Sequence, residues 1–496
     1  MWCSTRLSPK RPAIPLPKAT LKPCFYSCTA SAPRKAAPSS KLTAPISAAL
    51  MKKNSLLIVM GGLVWAQTTP QALSLKDCIR YALQHSPTVQ NSYLDYQLAR
   101  QKIAEVRAAG LPQLTGNASL RYFIEIPTSL VPGEFFGAPR GTFIPVRFGV
   151  PYNLELSVTG TQLLFDGTYF VGLQAARAVK ELTYRSYQRS RTETVAAVTK
   201  AYYTALVSQE RLRLLSENLK QLELVRDQTR GLYENGFVEK LDLDRVEVSL
   251  NNLRTEQTRA AELAGLAYLT LKLQMGMPLE TPISLTDTLA PEELLTLLPD
   301  TLTPSEFDPT RRWEYQILLQ QRRALELNLR RYQVSYLPSL VAVGNLATQA
   351  QRKEFDFFDT RKRWFPIAFV GAQLQVPIFD GLRRASQISQ ARLELQKNQN
   401  DLFQLRQSLT LEAENARRQL LNAVRAVQIQ RRNLTLAEEV LRTAQRKNQL
   451  GAGSNLELLQ AQTSYEQAQT HYTTALLEAY LAYVDWQKAL GTLPTE

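Results

Sequence analysis

Past residue 66 the chain holds one cysteine, Cys78, and two histidines, His85 and His471. A single thiol cannot form an intrachain disulfide, so nothing covalent staples the fold. With one cysteine and no pair of histidines at ligand spacing, a zinc centre has no ligand set. No glycine-rich loop follows a strand to cradle a phosphate, and no nucleophile, base and orienter stand together. Neither a cofactor nor an enzyme activity is indicated. Long uncharged apolar runs are missing too. None of about 18 residues occurs after residue 66, which argues against a helical membrane span. Any insertion into lipid must then use strands, because only helices and closed barrels satisfy their backbone groups there.

An excess of basic charge, formally +15 over 496 residues, belongs to the N-terminus. Ten of the 59 Lys and Arg lie before residue 67, where there is no Asp or Glu, leaving 49 basic against 44 acidic residues. Nucleic acid is therefore not an expected partner. Met51-Lys52-Lys53 opens a basic segment, an apolar stretch runs from Leu56 to Trp65, and Val64-Trp65-Ala66 resembles a cleavage site. This three-part pattern reads as a signal peptide over 51–66, with Met51 the start and 1–50 an upstream extension. The other reading of residues 1–50 is an organelle transit peptide, since they are basic, acid-free and rich in Ser, Pro and Ala. Cys3, Cys24 and Cys28 all fall in this leader.

What the chain does have is an internal duplication. Leu111-Pro112-Gln113-Leu114 recurs as Leu337-Pro338-Ser339-Leu340, and Phe165-Asp166-Gly167 as Phe379-Asp380-Gly381. Gly236, Leu241, Leu243 and Gly276 match Gly451, Leu456, Leu458 and Gly491 at a constant offset of 215. The repeats span 67–282 and 309–491, joined by a proline-rich connector at 283–308 and followed by a short end at 492–496.

Each repeat reads as helix, two strands, long helix, turn, long helix. The first helices cover roughly 74–110 and 310–336. Between the Leu-Pro and Phe-Asp-Gly anchors the period becomes two. Leu114, Gly116, Ala118, Leu120, Tyr122, Ile124 and Ile126 alternate with Thr115, Asn117, Ser119, Arg121 and Glu125, Phe123 being the exception; Leu154, Leu156, Val158 and Leu164 stand against Glu155, Ser157, Thr159 and Thr161. In the second repeat Ala368, Val370, Ala372, Leu374, Val376 and Ile378 line one face of 367–379, whereas the stretch near 340–350 alternates poorly. The hairpins lie at 114–165 and 340–379, and strands of about ten residues suit a membrane barrel. A half-buried soluble sheet would look similar. The loop 127–151, rich in Pro, Gly and aromatics, and the charged loop 351–366 favour the barrel. Each Phe-Asp-Gly is followed by a helical pattern long enough for a rod of roughly 100 Å. The rods end at Gly236 and at Gly451 with Gly453, where tight turns lead into helices over 239–275 and 454–490. Four strands leave two open edges, which lipid cannot satisfy, so the chain must oligomerise.

Ser74-Leu75-Lys76-Asp77, Ala82-Leu83-Gln84-His85-Ser86-Pro87, the paired Leu-Pro-x-Leu and Phe-Asp-Gly motifs, Tyr233-Glu234-Asn235-Gly236 and Leu450-Gly451-Ala452-Gly453-Ser454 together resemble the TolC-like outer membrane efflux proteins. The resemblance covers about residues 73–491. It implies a mostly α fold with internally duplicated helical hairpins forming an α-helical barrel. It further implies a homotrimer whose four strands per protomer complete a 12-stranded barrel in the outer membrane, with the helices reaching into the periplasm. By resemblance, Gly236, Phe237, Val238, Leu241, Gly451, Gly453, Ser454 and Leu456 would meet a periplasmic adaptor coupled to an inner-membrane transporter of the RND or ABC kind. Glu457 and Gln460 stand where the family narrows its periplasmic aperture with acidic residues, and Gln460 departs from that pattern. The implied function is a passive exit duct for efflux or type I secretion. The competing reading is a soluble periplasmic coiled-coil scaffold. N-terminal sequencing of the exported protein is expected to begin at Gln67, and a mature chain retaining residues 1–50 would defeat the export reading.

Overall fold

The structure, a computed structural model, describes residues 71–289, 292, 307–450 and 452–494. The chain divides into Met1–Ala66 and Gln67–Glu496, so the leader expected at 1–66 and most of the connector lie outside the described residues. A short strand β1 (Gln71–Leu73) leads into α1 (Leu75–His85) and α2 (Pro87–Ala108). The single helix expected over 74–110 is thus broken in two. Proline disfavours helical geometry in the residue before it, and Ser86 is accordingly extended at φ −60°, ψ 123°. Pro87 then starts α2, where its missing amide hydrogen leaves no bond unmade. Ser74 and Asp77 close a reciprocal capping box on α1, each side chain accepting from the other's backbone amide at 3.3 Å.

The strands follow as β2 (Gln113–Tyr122), β3 (Thr128–Pro132), β4 (Phe143–Arg147) and β5 (Tyr152–Phe165), β2 stopping at Tyr122 although the alternation runs on to Ile126. After β5 come the helices α3 (Gly167–Glu234) and α4 (Lys240–Met275), then the strand β6 (Ile283–Leu285). The second repeat supplies α5 (Trp313–Val334), β7 (Ser339–Arg352), β8 (Phe365–Gln375), α6 (Arg383–Gln449) and α7 (Asn455–Leu490). At 68 and 67 residues, α3 and α6 match the rods expected from the periodicity. Asp166 caps α3 by accepting from the Thr168 amide at 2.6 Å. The loop expected at 127–151 contains the β3–β4 hairpin, whose register pairs Leu130 with Pro145 and Val131 with Ile144.

β2, β5, β7 and β8 form one sheet in that order, antiparallel throughout. Its register aligns the apolar faces of separate strands: Leu114, Gly160, Gly344 and Val370 stand in one row, and Gly116, Val158, Leu346 and Ala368 in the next. Arg121 and Glu155, 3.5 Å apart, lie on the opposite face. Below the sheet the helices repeat its order, α2 against α3, α3 against α5 and α5 against α6. Farther along the rods α4 packs on α3, α3 on α7 and α7 on α6.

The middle of the rods is tied by two buried nodes. β1 pairs in parallel with β6, bringing the start of the connector against a core of Cys78, Tyr202, Leu271 and Met275. Burial pushes the Cys78 thiol up to about 12, which keeps it protonated and inert. The second node is Arg312, buried at the start of α5. It donates to Glu314 at 3.1 Å, to the Ala489 carbonyl at 3.0 Å and to Glu412 on α6 at 3.3 Å. Burial alone would raise the Glu314 carboxyl, but the hydrogen bond and charge of Arg312 outweigh it and hold it below its ordinary value of 4.5. A depressed carboxylate stabilises the fold at neutral pH and loses that effect as pH falls through the folded-state value. Arg312→Met should therefore cost about 3–5 kcal/mol at pH 7, because it leaves a partly buried carboxylate unpaired. The melting difference between wild type and Glu314→Gln, followed by circular dichroism in detergent, should be constant above pH 5 and shrink below about 4.5. A difference unchanged down to pH 3 would show that the pair contributes nothing.

Candidate functional site at the hairpin tips

The rods turn back at two tips that share one backbone hydrogen bond spanning six residues. At the end of α3 the Gly236 amide donates to Tyr233 O at 2.9 Å and the Phe237 amide to Leu232 O at 2.8 Å. That bond pair is a Schellman closure, and it requires a left-handed residue, here Gly236 at φ +77°. At the second tip the Ala452 amide donates to Lys447 O at 2.9 Å, the same six-residue closure. Gly451 itself lies outside the described residues. Gly453 is needed for another reason: a Cβ there would sit 3.0 Å from Lys447 Cβ and 3.1 Å from the Asn448 amide. Ser454 then caps α7, its hydroxyl accepting from the Glu457 amide at 3.1 Å. The Asn448 side chain donates across the turn to Asn455 at 2.9 Å.

Phe237 is 78% exposed and Leu450 83%, large apolar side chains at the ends of largely polar rods. Val238 is half-buried. Leu241 and Leu456, far apart in sequence, line one groove of about 810 Å³ between α4 and α7, together with Val248, Leu459, Gln460 and Ser464. A second groove, of about 580 Å³ between α6 and α7, is lined by Val440, Lys447, Glu457 and Gln460. Gln460 thus borders both. Glu457 is ion-paired with Lys447 at 3.0 Å, so the carboxylate singled out in the sequence shares its surface with a cation of the preceding helix. Lys447 and Val248 escaped the sequence reading, and Leu450 entered it only as the first residue of the Leu450–Ser454 motif. Only the seven- and ten-residue spacing across a turn points to the pairs of Asn448 with Asn455 and Lys447 with Glu457. Among the described residues no three His, Cys, Asp or Glu are grouped to hold a metal ion, and no helix is long and apolar enough to cross a membrane.

A duplicated pair of long helical hairpins hung from a four-stranded sheet is a specific architecture. A model of the family described as "Outer membrane efflux protein" matches residues 148–277 and 313–492. The chain belongs to the outer membrane efflux protein family. Membership places the protein in the outer membrane. It is 21% identical over 434 residues to the proteases secretion protein PrtF of Dickeya chrysanthemi, covering 85% of this chain and 89% of that one. It is 26% identical over 385 residues to the probable efflux pump outer membrane protein TtgC of Pseudomonas putida, covering 72% and 75%. The fold is similar to that of the Campylobacter jejuni CmeC outer membrane channel. There the TM-score is 0.67 at 14% identity, over 90% of this chain and 94% of that one.

Gly236→Ala should destabilise the first tip by about 1 kcal/mol, because alanine resists the left-handed region. Amide exchange over residues 232–241 should then accelerate about fivefold. Gly231→Ala, inside α3 with open space around it, should leave exchange unchanged or slow it. Equal exchange in both variants would remove the conformational account of this tip.

Proposed function

We propose that this member of the outer membrane efflux protein family is a passive exit duct, closed by three copies of the chain around a common axis. The observation that carries this is the coincidence of free edges. β2 and β8 are the unpaired edges of the sheet, α2 and α6 flank the helices beneath it, and α4 and α6 flank the lower rods. One lateral surface therefore runs the length of the repeats on each side. Three antiparallel steps separate β2 from β8, so the two edges run in opposite directions. β2 of one copy can extend the antiparallel ladder of its neighbour's β8. Eight strands from two copies would enclose a barrel that side chains fill, whereas twelve leave a lumen.

The flanks carry the apolar surface such closure needs. Leu393, Leu411 and Ile429 on α6 repeat every 18 residues, five turns of about 3.6 residues, and each is at least 60% exposed. Leu94 and Leu98 on α2, and Leu266 and Leu273 on α4, are exposed on the opposing flank. These are rows of large apolar residues on helices that are otherwise charged, as expected of surfaces awaiting a partner. The apolar tips Phe237, Leu450 and Leu456 suit docking of a periplasmic adaptor, which would join the duct to an inner-membrane transporter. Relatives named for efflux and for protease secretion support either kind of cargo.

Purified in detergent, the protein should have the mass of three protomers by light scattering and should conduct ions in planar bilayers. Leu393→Lys with Leu411→Lys should abolish the trimer while leaving the helical circular dichroism intact. A water-soluble monomer free of detergent would overturn the duct and favour the scaffold.

A further inference from the structure

The water-facing side of the sheet is not polar throughout. Across the first hairpin it carries Thr115, Asn117 and Ser119 beside Thr159, Ser157 and Glu155. Following the register outward, Thr159 stands beside Asn345 and Asn345 beside Phe369; Ser157 beside Ala347 and Ala347 beside Ile367; Glu155 beside Gln349 and Gln349 beside Phe365. Phe365, Ile367 and Phe369 thus share a face with the Arg121–Glu155 ion pair, and not with Val370. They are 52%, 43% and 54% exposed. Val343 on β7 lies in the same row as Gly371 on β8, and Gly371 has open space where a side chain would stand. Phe369 therefore stands next to a position on the same face of β8 that carries no side chain.

A strand apolar on both faces is usually buried on both. β8 is instead a free edge with every residue exposed. Ring closure does not cover this strip, because a neighbouring β2 brings Thr115, Asn117, Ser119 and Arg121 to that face, and hydroxyl, amide and guanidinium groups offer little apolar surface. Lipid covers only the other face. What remains to meet the strip is a solute in the lumen.

We propose that Phe365, Ile367 and Phe369 form a binding track for small amphiphilic molecules with an aromatic face, holding them briefly during passage along a wall that is polar across the first hairpin. The track rests on the closed-duct reading given above. Ring stacking and cation–π attraction each retain a solute roughly two- to tenfold, enough to order passage without trapping the cargo.

Planar-bilayer recording tests this with tetraphenylphosphonium added on the side of the 353–364 loop, and choline as the hydrophilic control cation. Wild-type channels should be blocked reversibly by tetraphenylphosphonium and not by choline. Phe365→Ser/Ile367→Ser/Phe369→Ser should raise the half-blocking concentration about tenfold while keeping the open conductance in potassium chloride. Val370→Ser, on the lipid side, should block as the wild type does, and Phe369→Trp should block at equal or lower concentration. Conducting wild-type channels that ignore tetraphenylphosphonium, or a triple variant blocked like the wild type, would overturn the track and leave the duct standing. Wild-type protein that forms no channel would overturn both.

Discussion

Unpaired backbone groups at a sheet edge have no water to turn to inside a membrane, and each costs several kcal/mol there. A sheet ordered β2-β5-β7-β8 presents two such edges. The rest of the molecule is arranged so that satisfying them also satisfies everything below. Because the helices under the sheet keep the strand order, the apolar flanks of α2, α4 and α6 lie on the same sides as the edges that pair in the proposed ring. In the proposed ring a single lateral interface serves lipid-embedded and water-exposed parts alike.

Inside one protomer the long rods are held by a different balance. Ion pairs between α3 and α4, such as Arg211 with Glu256 and Arg254 with Glu223, are substantially exposed and contribute little each. Apolar clusters carry the packing, with Leu215, Val246 and Leu250 on one hairpin and Leu441, Ala444 and Leu458 on the other. Polar groups are buried at several points along the rods, among them Thr199, Asn218, Thr229, Asn398, Gln462 and Thr473. Asn218 meets Gln469 at 2.6 Å, and Arg312 gathers Glu314, Glu412 and the end of α7. Such contacts tolerate only one register of the rods, since slipping would strand a buried donor.

Much of this architecture was legible in the residues. The duplication, the strand alternation in β2 and β5, and the glycine-marked tips all follow from local rules of period and backbone freedom. Other features were not. Pro87 divides the first helix because its effect falls on Ser86, which looks helical by periodicity alone. The β3–β4 hairpin hides in a stretch of Pro, Gly and Phe whose composition reads as loop. β7 alternates poorly because Val341, Val343 and Ala347 lie on the wet face, and only its register with β5 and β8 identifies that face. The parallel pairing of β1 with β6 joins three residues on each side across more than 200 positions, too short for any pattern to announce. At the tips the sequence marked the glycines but not their chemistry: Lys447 and Glu457 meet only because the turn folds them together.

The number of copies is a question of curvature. β2 and β8 are different strands, so their contact is head-to-tail and closes only if each protomer turns the wall by a whole fraction of a circle. Three copies of four strands require about 30° per strand, and two copies would require about 45°. Curvature of that kind is set by glycines and bulges. Gly160 and Gly344 stand side by side in the register, and a Cβ at Gly160 would meet Leu114 Cδ2 at 3.1 Å. The ladder between β5 and β7 also shifts register between Leu163 and Phe165. Both devices lie in the inner pair of strands, away from the edges. In the proposed ring, part of the bend that would set its size is therefore already present in each protomer, in the β5–β7 pair.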